Sequence, residues 1–98
     1  MKVIKAVKKP IEVECVQWTG LNRSEIEEFL GWENTIFYYY RPVGANVIEL
    51  KLEIITHLGR VKVDIDDYIA KELNGDIYSY SKKDFMALYD VIGYDIIG

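Results

Sequence analysis

The 98-residue chain carries twelve basic and sixteen acidic residues, a formal net charge of -4, and 50% hydrophobic residues. That size supports one core, so a single domain over residues 1–98 is expected, with the composition of a globular chain and not a disordered one. No apolar run reaches the ~18 residues of a membrane helix, Met1 to Pro10 lacks the apolar stretch of a secretory signal, and Cys15, the one cysteine, excludes an internal disulfide or a multi-cysteine zinc site. A reducing, cytoplasmic setting fits these exclusions.

Residues 11–18 alternate at the start, with Ile11, Val13 and Cys15 on one face and Glu12 and Glu14 on the other, which predicts a half-buried strand. Thr19-Gly20 ends it. Asn22 is placed to cap a short helix, with Glu25 as the reciprocal partner of a capping box. Ile26, Phe29 and Leu30 share one side of that helix, Glu27 and Glu28 face water, and Gly31 is the expected left-handed terminator. Residues 35–40 are β-branched and aromatic and predict a strand, which Pro42 and Gly44 are expected to break.

The alternation is clearest over 47–55, where Ile48, Leu50, Leu52 and Ile54 oppose Glu49, Lys51 and Glu53. After a turn at Leu58-Gly59, Val61, Val63 and Ile65 alternate with Lys62, Asp64 and Asp66, so residues 47–65 read as an antiparallel hairpin. Tyr68-Ile69-Ala70-Lys71 and Ile77-Tyr78-Ser79-Tyr80 flank Asn74-Gly75, a strong turn signal. Ser81 caps a second helix with Asp84 at the box position and Phe85, Leu88 and Tyr89 as its buried face. The tail from Val91 is a last strand or a packed extension. With no βαβ repeat, the class is α+β: a small, mainly antiparallel, curled sheet with one or two short helices.

Chemistry-bearing groups are sparse. His57, the single histidine, falls in a hairpin turn without a marked nucleophile nearby. Cys15 is expected on the apolar face of the first strand, as an inert small hydrophobe. Asp64, Asp66 and Asp67 lack the glycine and terminal glutamate of a calcium loop and read as a solvated face. No phosphate-binding glycine loop, zinc-protease motif or nucleophile elbow occurs. An enzyme, a metal site and a cofactor are therefore not expected.

Charge is uneven. Residues 1–10 hold four lysines and no acid, whereas residues 64–98 hold eight acids and three bases. The pI of about 4.9 disfavours nucleic acid as the main ligand. Aromatics are the unusual feature: Tyr38, Tyr39 and Tyr40 run consecutively into Arg41. Successive strand residues alternate faces, so at least one of these tyrosines points away from its neighbours. Trp18 and Trp32 flank the first helix, and Tyr78 and Tyr80 share a face. Tyr, Trp and Arg favour binding hot spots, which nominates Tyr38, Tyr39, Tyr40, Arg41, Trp32, Arg60 and Tyr78 as binding residues. The same rings could stack on a base while Arg23, Arg41 or Arg60 takes a phosphate. Against this stands the plainer reading that most rings fill a small core.

Lys8-Lys9-Pro10, followed by Val13-Glu14-Cys15-Val16-Gln17-Trp18-Thr19-Gly20, resembles the opening of a family of small phage and prophage proteins, common in phages of Gram-positive bacteria. That family begins with K-K-P, a V-x-A-x-Q-W-T-G segment and a short helix. It continues with P-G-D-Y-I, then G-E-x-Y, then a phenylalanine and a tyrosine four residues apart. This chain has Asp67-Tyr68-Ile69, Gly75-Asp76-Ile77-Tyr78, and Phe85 with Tyr89, but Ile65-Asp66 stands where the family has Pro-Gly. The turn before Tyr68 is accordingly expected to be a continuous strand or a different bend. The resemblance brings no catalytic residue. It implies a phage or prophage product acting in the host bacterial cytoplasm.

The expected function is a non-enzymatic inhibitor that contacts a host bacterial protein, such as a component of an antiphage defence system like CRISPR. Net charge would steer it toward a basic partner. The alternatives are a sponge for a small nucleotide signal and an assembly or virion-associated oligomer, for instance a homodimer paired through a sheet edge.

Overall fold

The computed structural model describes residues 1–6, 11–31 and 36–93. In chain order it contains β1 (Glu14–Gln17), α1 (Arg23–Leu30), β2 (Ile36–Gly44), β3 (Val47–Thr56), β4 (Gly59–Val63), β5 (Tyr68–Lys71), β6 (Ile77–Tyr80) and α2 (Lys82–Leu88). The strands form two three-stranded antiparallel sheets, β1-β5-β6 and β2-β3-β4. The fold is small α+β with two helices and a curled, unclosed arrangement of strands.

One apolar cluster joins both sheets to the first helix. Trp18, Ile26, Leu30, Leu52, Ile54, Val63, Ile69 and Ile77 are all buried in it. The period-two pattern of β3 delivers Leu52 and Ile54 to this core, and Ile26 and Leu30, four apart, bring one side of α1 down onto it. Each such side chain contributes about 1.5–3 kcal/mol by leaving water. The first sheet is covered on its other face as well, by Phe85 of α2 and by Tyr89, which follows the helix. There Tyr68 stacks on Phe85 with centroids 4.1 Å apart, and Phe85, Tyr89, Tyr80 and Tyr78 continue as a line of ring contacts. Burial, then a hydrogen bond to Tyr89, pushes the Tyr80 hydroxyl up to about 12.

Several expectations are corrected. The first strand starts at Glu14, and Val16 and Trp18, not Cys15, face the core; Cys15 is exposed on the opposite face, where partial burial of the thiol raises its pKa. Trp18 is the wider apolar anchor, so it sets which parity points inward. Asn22 precedes α1, and its carbonyl accepts the Ile26 N–H at 3.1 Å, but its side chain bonds no helix N–H. Its amide donates to the Gln17 carbonyl at 2.8 Å and to Glu25 Oε1 at 3.3 Å, and its Oδ1 accepts from the Thr19 backbone at 2.9 Å. Asn22 thus ties the helix to the strand before it instead of closing a capping box. Gly31 ends α1 with a φ of 72°, in the range that favours glycine.

Pro42 and Gly44 do not break β2, which runs through both with a register shift between them. This is tolerable because β2 is an edge strand, where a missing N–H and a bulge disturb one ladder only. Ile65 and Asp66 form a turn instead of extending β4, and Asp66 has a φ of 75°. Leu88 is exposed, since Phe85 and Tyr89 alone fill the seam above the first sheet. The predicted cap of α2 is present: Ser81 Oγ accepts from the Asp84 backbone N–H at 3.1 Å. Residues 91–93 form no strand, and residues 94–98 of the tail lie outside the described residues.

Candidate functional site

The meander β2-β3-β4 has one face on the core and one open. On the core face, Tyr38 packs against Trp18 with centroids 6.1 Å apart, and the Arg23 guanidinium lies 4.2 Å above the Tyr38 ring. The Tyr38 hydroxyl donates to the Arg23 carbonyl at 3.4 Å. Burial and the Glu27 charge raise its pKa, against Arg23. Tyr40 points the same way but lies beyond the core and is 70% exposed. With Leu50 it faces the start of α1, Gly20 to Glu25, across an open cavity of about 440 Å³.

The open face is set by the strand register. Arg41 lies opposite Glu49, Tyr39 opposite Lys51, Phe37 opposite Glu53 and Glu53 opposite Lys62, with Ile55 opposite Arg60. Alternation therefore gathers two rings, four basic side chains and two acidic ones on a surface that no described helix or strand covers. Arg60 reaches across β3 to stack 4.1 Å above the Phe37 ring while its Nη2 donates to Glu53 Oε2 at 2.9 Å. Lys51 Nζ donates to Glu49 Oε2 at 3.0 Å. Both carboxylates are thus taken. Arg41 and Lys62 have no ion-pair partner among the described residues, and with Tyr39, Lys51 and Asp64 they line a dip of about 50 Å³.

This face carries an excess of positive charge although the whole chain is at -4. Local charge outweighs net charge at contact distance, because solvent screens separations beyond about 8–10 Å. The face thus favours carboxylate-bearing partners, the reverse of what the net charge alone suggests.

The nominated residues do not converge. Tyr39, Arg41 and Arg60 share the open face. Tyr38 belongs to the edge of the core, and Tyr40 to the cavity at α1. Tyr78 lies in the aromatic layer of the other sheet, edge-on to His57 at 5.0 Å. Trp32 lies outside the described residues. Sequence reasoning missed Phe37, Lys51 and Lys62 as members of the face. Their parity was readable, but their juxtaposition depends on the β2–β3 turn at Ala45-Asn46, where Asn46 takes a φ of 61°. Asn in that conformation is a turn signal that could have revealed the pairing.

His57 sits in the β3–β4 turn, with Nδ1 3.8 Å from Asp76 Oδ1. Asp67 Oδ2 accepts the Asp64 backbone N–H at 2.9 Å, and burial raises the Asp67 pKa. Among the described residues, no three His, Cys, Asp or Glu side chains converge on a point that would hold a metal ion. No described helix is long and apolar enough to cross a membrane. No family model matches the chain, and neither a curated protein nor a solved structure matches it.

Proposed function

We propose that the chain is a phage- or prophage-encoded binding protein that inhibits a host bacterial protein, such as a component of an antiphage defence system, through the open face of β2-β3-β4. The observation that carries this reading is that Tyr39 lines one dip with Arg41 and Lys62, neither of which has an ion-pair partner among the described residues, on a sheet face that no described helix or strand covers. Rings and arginines of this kind anchor protein interfaces, and carboxylates of the partner complete the charges. The resemblance at Gln17-Trp18-Thr19-Gly20 and Asp67-Tyr68-Ile69 supports the phage origin. A dip of about 50 Å³ is far smaller than the 300–1,000 Å³ of a small-molecule pocket, which favours a protein over a nucleotide here.

The test is capture. Immobilised wild-type chain and the Tyr39→Ser/Arg41→Ser variant are exposed to lysate of a Gram-positive host, and bound proteins are identified by mass spectrometry. The reading requires a protein retained by the wild type and lost by the variant. Equal recovery by both overturns the face. A melting shift with a nucleotide, or salt-sensitive binding of a single-stranded oligonucleotide, would replace the protein partner with that ligand.

A further inference from the structure

The strand edges of this fold differ in how they are protected. Natural edges are blunted by lysines, by proline, by bulges, by brevity or by a covering element. The outer edge of β4 carries Arg60 and Lys62, while β1 and β6 are only four residues long. β2 is nine residues long and, among the described residues, pairs with β3 alone. Its guards, Arg41, Pro42 and the bulge before Gly44, all sit at one end. Ile36-Phe37-Tyr38-Tyr39-Tyr40 contains no charge, no proline and no irregularity. Within this bare stretch, Tyr40 is 70% exposed.

We infer that β2 pairs with β2 of a second copy across a two-fold axis, making a continuous six-stranded antiparallel sheet. The occupant follows from self-complementarity. The usable ladder is bounded by Ile36, where β2 begins, and Pro42, which has no N–H, so its midpoint is Tyr39. A two-fold axis there sets Tyr39 against its own copy, Tyr38 against Tyr40 of the second copy, and Arg41 against Phe37. The one charge of the ladder meets a ring and not its own copy. That ring already accepts a guanidinium, from Arg60, whose charge Glu53 offsets. Tyr40, the exposed ring on the core side, gains a tyrosine beside it. An isologous contact closes after two copies, which turns an aggregation-prone edge into a finite assembly. The two open faces then merge, with both Tyr39 side chains at the centre. This inference stands apart from the proposed function, since the edge pairs whether or not the face has a partner.

Light scattering after size exclusion tests it, at chain concentrations on the order of 0.1 mM where weak interfaces register. Wild type is expected at twice the 11.4 kDa chain mass, and Tyr40→Lys, which puts a cation into the ladder on the core side, at the single mass with an unchanged circular dichroism spectrum. In a Cys15→Ala background, Tyr39→Cys should cross-link to a dimer under mild oxidation, and Lys82→Cys on α2 should not. A wild-type chain that stays monomeric overturns the inference. So does a dimer that Tyr40→Lys leaves intact, or one that position 39 fails to cross-link. A monomer that still captures its partner through Tyr39 and Arg41 overturns the dimer alone.

Discussion

Trp18 and Asp67 are joined through their backbones: the Trp18 N–H donates to the Asp67 carbonyl at 2.9 Å, and one residue earlier the Asp66 N–H donates to the Trp18 carbonyl at 2.7 Å. The Gln17 amide adds a third bond, to the Asp66 carbonyl at 3.1 Å. A Cβ on Gly20 would stand 3.2 Å from Ile65 Cδ1. The two stretches that carry the resemblance, Gln17-Trp18-Thr19-Gly20 and the turn before Tyr68, are thus one junction. Those residues build the fold, and the proposed recognition face lies elsewhere, on β2-β3-β4.

The turn at this junction, Asp64 to Asp67, is closed by the Asp67 N–H donating to the Asp64 carbonyl at 3.0 Å. Its third residue, Asp66, takes the positive φ that Gly normally supplies there. Asp66→Gly should leave stability within about 0.5 kcal/mol, because relieved strain and added unfolded-state entropy nearly cancel. Asp66→Val should cost about 1–3 kcal/mol, since a β-branched residue resists that conformation. Urea denaturation of both variants checks this, and an Asp66→Val protein as stable as wild type would refute the strained turn.

Trp18 is fully buried, yet its Nε1 has no hydrogen-bond partner among the described residues. Trp18→Ala should cost about 3–5 kcal/mol through the lost burial and the cavity. Trp18→Phe should cost only about 1–2 kcal/mol, because it also removes an unpaired donor whose burial costs about 1–3 kcal/mol. Equal losses in the two variants, measured by denaturant titration, would refute this account of the indole N–H.

Tyr80 makes stability fall in strong alkali. Its hydroxyl is raised from 10.0 to about 12 in the folded chain, so the unfolded chain ionises first. The contribution is fully present below pH 10, and is lost as pH rises through about 12. Thermal melts across that window should show a falling midpoint, with a shallower fall for Tyr80→Phe. A slope identical in both proteins would assign the effect to other groups.

The sequence made the hairpin over β3 and β4, the pairing of β5 with β6 and the Ser81 cap legible because each is local: alternation, Asn74-Gly75, and one hydroxyl before a helix. The parity of β1 is ambiguous in the sequence because Ile11, Val13 and Cys15 alternate as well as Val16 and Trp18 do, and only the tertiary core chooses between them. Pro42 was taken as a stop because an edge strand cannot be told from a central one before the sheet order is known. Tyr39, Arg41 and Arg60 are nominated by residue type. Their separation from Tyr78, and their company with Phe37 and Lys62, came from the register, which no single strand contains.

As proposed, β2-β3-β4 recognises a protein through its open face. The most direct measurement is the Kd of the purified captured partner for wild type, for Tyr39→Ala/Arg41→Ala and for Lys82→Ala/Lys83→Ala on α2, each with its melting temperature. The account predicts at least ~10-fold weaker binding for the first variant, the loss expected when hot-spot anchors are truncated, with folding and the α2 variant unaffected. Wild-type affinity in Tyr39→Ala/Arg41→Ala, with the fold intact, would contradict it.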